Sequence, residues 1–133
     1  EKVEQTDEKE AVRWVARPGY SEHHSGYALD FGIYSNGVSS TFTGSWKYRW
    51  ICEHAHEYGF ILRYDAAKEN LTGIAGESWH FRYIGKPHAF FMKQQNLCLE
   101  EYIELLKSYP YQRKHLKIED FDGKKYEVYS CNV

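Results

Sequence analysis

An α+β domain is the fold class predicted by this chain of 133 residues, and two observations predict it. Strand-like and helix-like stretches arrive in blocks rather than in strict alternation, which argues for a small antiparallel sheet flanked by helices and against a doubly wound parallel one. With 42% hydrophobic and 17% aromatic residues the chain can bury one core, and its length is short for two ordinary domains. Within that unit a main body over residues 1–110 and an appended hairpin over 111–133 are expected.

Each element has a local reason. Residues 7–16, DEKEAVRWVA, carry acids in a first turn and stop at Pro18 and Gly19, the pattern of a short helix. YALDFGI (27–33) has strand character, and the YSNGVSSTFTG that follows (34–44) reads as a polar surface loop, the most lid-like stretch of the chain. From Ser45, a candidate N-cap, WKYRWICEHAHEY reads as one helix with Trp46, Trp50 and Ile51 on one face and Gly59 at the C-cap. FILRY (60–64) and WHFRYIG (79–85) read as strands separated by a polar loop. Pro87 and His88 open a helical stretch, and LEEYIELLKSY (99–109) is a second, with Leu99, Ile103 and Leu106 at helical spacing. LKIEDFDGKKYEVYSC reads as a hairpin turning at Asp122 and Gly123.

Charge and composition exclude several classes. The 17 basic and 19 acidic residues leave a net charge of -2, which provides no field to attract nucleic acid or an anionic membrane surface. No apolar run is long enough to span a bilayer, and the opening EKVEQTDEKE lacks the basic and apolar regions of a signal peptide, so the chain is expected to be soluble. Cys52, Cys98 and Cys131 are odd in number and without CxxC spacing, so free thiols are expected rather than a disulfide framework or a thiolate zinc knuckle.

The chemistry concentrates in two segments. SEHHSGYALD (21–30) places His23, His24 and Asp30 where a loop becomes a strand, and GESWHFRYIG (76–85) places Glu77 three residues before His80 at a second such junction. His23, Asp30 and His80 with a spare Glu77 are the inventory of a catalytic zinc site: three N/O ligands, an open fourth position and a carboxylate to take a proton from water. Spacing alone leaves a second reading open, in which these are surface or hydrogen-bonded core groups, the commoner state of His in soluble proteins. His24 points elsewhere on an extended backbone. His54 and His56, two apart on a helix, face different directions, and His88 is a helix N-terminal residue.

Ser21, His23, Gly26, Ala28 and Asp30 fit the pattern SxHxxGxAxD, and Glu77, Trp79 and His80 fit ExWH. Together they resemble the signatures of the zinc D-Ala-D-Ala metallopeptidases, the group holding the VanX, VanY and VanXY enzymes of vancomycin resistance. The flanks PGYSEHHSG, YRW, YGFILRY, TGI and WHFRYIG are similar to the VanY branch, over most of residues 7–105. The resemblance implies that His23, Asp30 and His80 bind zinc, that Glu77 is the catalytic base, that Ser21 and Trp79 contact substrate, and that residues 1–110 form the catalytic domain. The implied activity is a zinc D,D-carboxypeptidase that removes the terminal D-Ala from peptidoglycan precursors ending in D-Ala-D-Ala, destroying the vancomycin target. The alternatives are a D,D-dipeptidase or bifunctional enzyme on free D-Ala-D-Ala, or a non-catalytic cell-wall-binding relic, which need not keep Glu77. The expected partners are a stem peptide or the dipeptide, with no nucleic acid, and a cell-envelope location is expected ahead of a cytoplasmic one. Two departures from the family stand out. Ser78 occupies a position often filled by Pro in the VanY branch, and an SGYRS-like segment with an oxyanion-stabilising Arg is expected upstream, where the twenty residues before Ser21 hold no match and Arg13 and Arg17 have no assigned task.

Overall fold

The computed structural model describes residues 19–132, so the helix expected over 7–16 lies outside the described residues. Its organising element is a three-stranded antiparallel sheet in the order β1-β5-β4, formed by β1 (Ala28–Asp30), β4 (Phe60–Tyr64) and β5 (Glu77–Tyr83). β5 is central and carries aromatic residues at alternate positions, Trp79, Phe81 and Tyr83, side chains that suit a pleated strand between neighbours. Its pairing with β1 sets Ala28 against Arg82, Leu29 against Phe81 and Asp30 against His80. The strand begins at Glu77, two residues earlier than the sequence pattern indicates, and Ile84 and Gly85 fall outside it.

Two hairpins flank this sheet. The strand expected over 27–33 is divided, its last residues opening β2 (Gly32–Ser35), which pairs with β3 (Val38–Thr41) through the stretch expected to be a loop. Asn36 and Gly37, with φ of 51° and 77°, form the tight left-handed turn whose twist matches paired strands. Their residues are exposed apart from half-buried Ile33, so the ladder and turn rather than an apolar face define the hairpin, and a hydrophobic-pattern reading passes over it. The second hairpin, β6 (Leu116–Glu119) with β7 (Lys125–Val128), forms as expected, with Gly123 at φ +77° in its turn. Asp120 closes that turn by accepting from the backbone N–H groups of Asp122 and Lys124 at 2.9 and 3.0 Å.

The helix expected from Ser45 is divided into a 3-10 turn (Trp46–Tyr48), α1 (Arg49–His54) and a second 3-10 turn (Ala55–Tyr58). Trp46 has φ +56° and is 92% exposed, so it cannot share a buried face with Ile51, and Ser45 makes no side-chain cap. Gly59 does end the segment in the left-handed conformation. After the short α2 (Glu69–Thr72) and β5, α3 (Lys86–Gln95) starts with Pro87 in its first turn and ends at left-handed Asn96. α4 (Leu99–Leu106) is capped reciprocally at Cys98 and Glu101. Its core residue is Tyr102, flanked by Leu99 and Leu106 as expected, whereas Ile103 is 51% exposed; the buried stripe takes Tyr102 in place of Ile103.

The core joins Ile61 of β4, Ala89 and Met92 of α3, Tyr102 of α4 and Leu116 and Ile118 of β6. In a second aromatic cluster Phe81 meets Phe31 and Phe42 edge-on while Phe31 and Phe42 are tilted, with ring centroids 5.2–6.4 Å apart. The aromatic cluster packs on the Phe81 face of β5, while His80 and Arg82 project from the other face, the one that Ile61, cross-strand partner of Arg82, shares with the first core. Cys52, Cys98 and Cys131 are free thiols. Among the described residues no helix is long and apolar enough to cross a membrane.

Candidate metal centre

A turn, a ladder and a bulge assemble the site. Glu22–Ser25 form a 3-10 turn that Ser21 caps, its Oγ accepting from the His23 N–H at 3.3 Å, while Gly26 closes the turn at φ +76°. The turn delivers His23 at the entrance to β1, and β1 delivers Asp30 opposite His80. Strict alternation along a strand would set Glu77 and His80, three residues apart, on opposite faces. Here the register with β4 shifts between Leu62 and Tyr64, β4 advancing from Leu62 to Tyr64 while β5 runs from Phe81 back to Glu77. That irregularity re-aims the side chain, and Glu77 Oε2 reaches His80 Nδ1 at 3.3 Å.

His23, Asp30 and His80 each offer a ligand atom within 4.8 Å of the others. Asp30 Oδ1 lies 3.2 Å from His23 Nε2 and 3.3 Å from His80 Nδ1. Around a tetrahedral zinc with bonds of about 2.0–2.1 Å, ligand atoms stand about 3.3 Å apart, so the three donors fit such an ion. His23 and Asp30 are exposed and His80 is buried, which leaves the group open on one side. Glu77 is buried beside it, its side chain 11% exposed.

Sequence reasoning missed Glu22, which stands at an unassigned position of the first motif. Its Oε1 meets His80 Nε2 at 2.8 Å, and its Oε2 accepts from Arg63 Nε and Arg82 Nη1, both at 3.1 Å. Arg63 in turn holds Glu100 of α4, with Nη1 3.0 Å from Oε2. Tyr64 packs its ring 4.9 Å from that of His80. Burial alone would lower the His80 pKa, but hydrogen bonds with Glu22 and Glu77 and the charges of Glu22 and Asp30 outweigh it and raise it to about 9. Burial likewise pushes the Glu22 carboxyl up, and His80 and Arg63 more than reverse that, holding it below its ordinary value.

The remaining candidates separate. Trp79 is half-buried, and its carbonyl accepts from the Phe31 N–H at 2.9 Å. Ser78, in the position where Pro was noted for the family, donates to the Phe42 carbonyl at 2.7 Å and ties β5 to the end of the β2–β3 hairpin. His24 is exposed, His54 pairs with Glu57 at 2.9 Å, and His56 packs near Phe90. His88 is more than a helix-start residue: its Nδ1 meets the Tyr102 hydroxyl at 2.7 Å inside the core.

Comparison with known proteins gives a consistent result. Residues 1–86 match the family model described as VanY: D-alanyl-D-alanine carboxypeptidase. A D-alanyl-D-alanine carboxypeptidase of Enterococcus faecium is 44% identical over 111 residues, covering 84% of this chain and 34% of that protein. The vancomycin-resistance D,D-dipeptidase VanXYg, solved in complex with a D-Ala-D-Ala phosphinate analog, superposes with a TM-score of 0.85 at 32% identity, over 96% of this chain and 52% of that one. A mutant of the vancomycin-resistance D,D-pentapeptidase VanY from the VanB-type cassette, in complex with Zn(II), superposes with a TM-score of 0.61 at 40% identity, over 77% and 57%. The chain thus spans about a third of the length of the first curated relatives that it matches.

Proposed function

This chain belongs to the VanY D-alanyl-D-alanine carboxypeptidase family, and from that premise we propose that it carries the centre of a zinc-dependent D,D-carboxypeptidase acting on peptidoglycan stem peptides that end in D-Ala-D-Ala. The observation that carries the reading is the open His23, Asp30 and His80 group with Glu77 buried next to it. A structural zinc would call for four protein ligands, and a binding module has no need of a buried carboxylate at the fourth side. The Zn(II) complex of the VanY relative supports the choice of metal.

In this reading bound zinc supplies Lewis acidity for attack on the scissile carbonyl. His23, Asp30 and His80 hold the ion, and Asp30 offsets part of its charge. Glu77 accepts the proton of the attacking water and returns it to the departing amine of D-Ala, a shuttle suited to a carboxylate close to the ligands and shielded from bulk solvent. Ser21, two residues before His23, and Trp79, next to His80, are the proposed substrate contacts. The catalytic unit is proposed to lie within residues 1–110, with 111–133 as an appended hairpin whose Leu116 and Ile118 complete the core.

The test is release of the C-terminal alanine by the full-length zinc-loaded protein, D-Ala from a pentapeptide stem ending in D-Ala-D-Ala and from free D-Ala-D-Ala, and L-Ala from stems ending in L-Ala. Release from the D,D pentapeptide ahead of the other two is expected. Faster cleavage of the free dipeptide would favour a D,D-dipeptidase, in keeping with the name of the VanXYg relative, and preference for an L-Ala terminus would overturn the reading.

A further inference from the structure

Glu22 divides its two oxygens between two tasks. Oε2 takes both guanidinium donors, from Arg63 and Arg82 at 3.1 Å each, and this leaves Oε1 aimed at His80 Nε2, 2.8 Å away. The carboxylate is largely buried, at 13% exposure, and the two guanidinium groups lie against the oxygen that does not face the imidazole. Arg63 is anchored by Glu100 at the first turn of α4, and Arg82 stands on β5 two residues from His80. Glu22 is thus held directly from two strands, β4 and β5, the first of which is braced in turn by α4. The residue after it is His23, whose ring meets the His80 ring edge-on with centroids 4.7 Å apart. One short turn therefore presses on His80 twice, with a carboxylate at one nitrogen and a neighbouring ligand against the ring.

We propose that Glu22 is the positioning residue of the metal centre: by accepting from Nε2–H it fixes the orientation of the His80 ring, so that Nδ1 is the nitrogen presented to a cation beside Asp30 and His23. The inference rests on the zinc reading above. An imidazole has two chemically competent nitrogens, and a carboxylate on one of them decides which is left for the metal and raises its basicity. Without Glu22 the ring can rotate about its Cβ–Cγ bond and offer either nitrogen.

The experiment uses the full-length protein with Glu22→Ala and the size-matched Glu22→Gln, the latter covering the case in which the alanine variant does not fold. Zinc affinity is measured by competition with a chromophoric chelator, and protein loaded with cadmium-113 reports through its metal–imidazole couplings which His80 nitrogen is bound. Glu22→Ala is expected to bind zinc about 10–100-fold more weakly and to lose exclusive Nδ1 coordination, with Glu22→Gln between it and wild type. Unchanged affinity and unchanged Nδ1 coupling in both variants would overturn the proposal and leave Glu22 as a partner for the arginines alone. Chelator-stripped protein separates this inference from the zinc reading, because a slowly exchanging His80 Nε2–H resonance, lost in Glu22→Ala, tests the hydrogen bond without any metal. If wild type binds no zinc yet shows that resonance, the zinc reading fails while the positioning contact stands. If the resonance is absent from wild type, the positioning proposal fails.

Discussion

Asp30 and His80 are cross-strand partners in the β1–β5 ladder, and their side chains meet with Oδ1 3.3 Å from Nδ1. Directly opposed residues in a sheet project to the same side, so a candidate ligand pair drawn from distant parts of the sequence is set by register. A slip of one residue would send Asp30 to the opposite face.

Substituting either member of that pair should separate metal binding from folding. His80→Ala is expected to abolish stoichiometric zinc, and Asp30→Ala to weaken binding sharply, as read by metal analysis after dialysis. Because the Asp30 side chain is 47% exposed, its loss should change the stability of chelator-treated protein by only about 0.5 kcal/mol. Full zinc content in His80→Ala would sink the ligand assignment.

Glu77→Gln should behave differently. If Glu77 moves protons and does not coordinate, zinc content stays near one per chain while D-Ala release falls by about 10²–10⁴-fold. Loss of zinc in this variant would instead make Glu77 a ligand.

The pH dependence of metal-free protein follows from His80. Its folded pKa of about 9 lies above the ordinary 6.5, so the protonated ring is stabilised in the folded state. That contribution is fully present below pH 6.5 and is lost as pH rises through about 9. Chelator-stripped protein should therefore melt at a lower temperature above pH 9 than at pH 6.5, and His80→Gln should remove that part of the slope. Equal slopes in the two proteins would contradict the assignment.

Gly76 precedes Glu77 and packs against Ala66. A Cβ there would lie 2.6 Å from Ala66 Cβ, 2.8 Å from its Cα and 2.9 Å from its backbone nitrogen, closer than any real contact. Gly76→Ala must push the start of β5 off this turn, at about 1–3 kcal/mol in urea unfolding. The displacement falls on Glu77, so D-Ala release should drop while zinc content is kept. A variant with normal stability and turnover would show that the segment yields freely.

The two motif segments, their junctions with strands and the hairpin at Asp122 and Gly123 are all legible in the sequence, because each depends on chemistry within a few neighbouring residues. The β2–β3 hairpin was signalled by Asn36 and Gly37 but lay outside a reading tuned to buried faces, since its strands are almost wholly exposed. The division of the helix after Ser45 left no local mark apart from the bulky Trp46, which adopts φ +56°.

By itself the sequence determined which residue types were available to a metal site and in what order, and the resemblance of its two motifs pointed to their chemistry. Tertiary structure decided the rest. The β1–β5 register set Asp30 against His80, the shift between Leu62 and Tyr64 turned Glu77 toward the same imidazole, and Glu22 joined Arg63, Arg82 and His80 around one carboxylate. These are relations between residues far apart in the chain, fixed by backbone pairing and by the need of a buried charge for partners, and no local pattern encodes either.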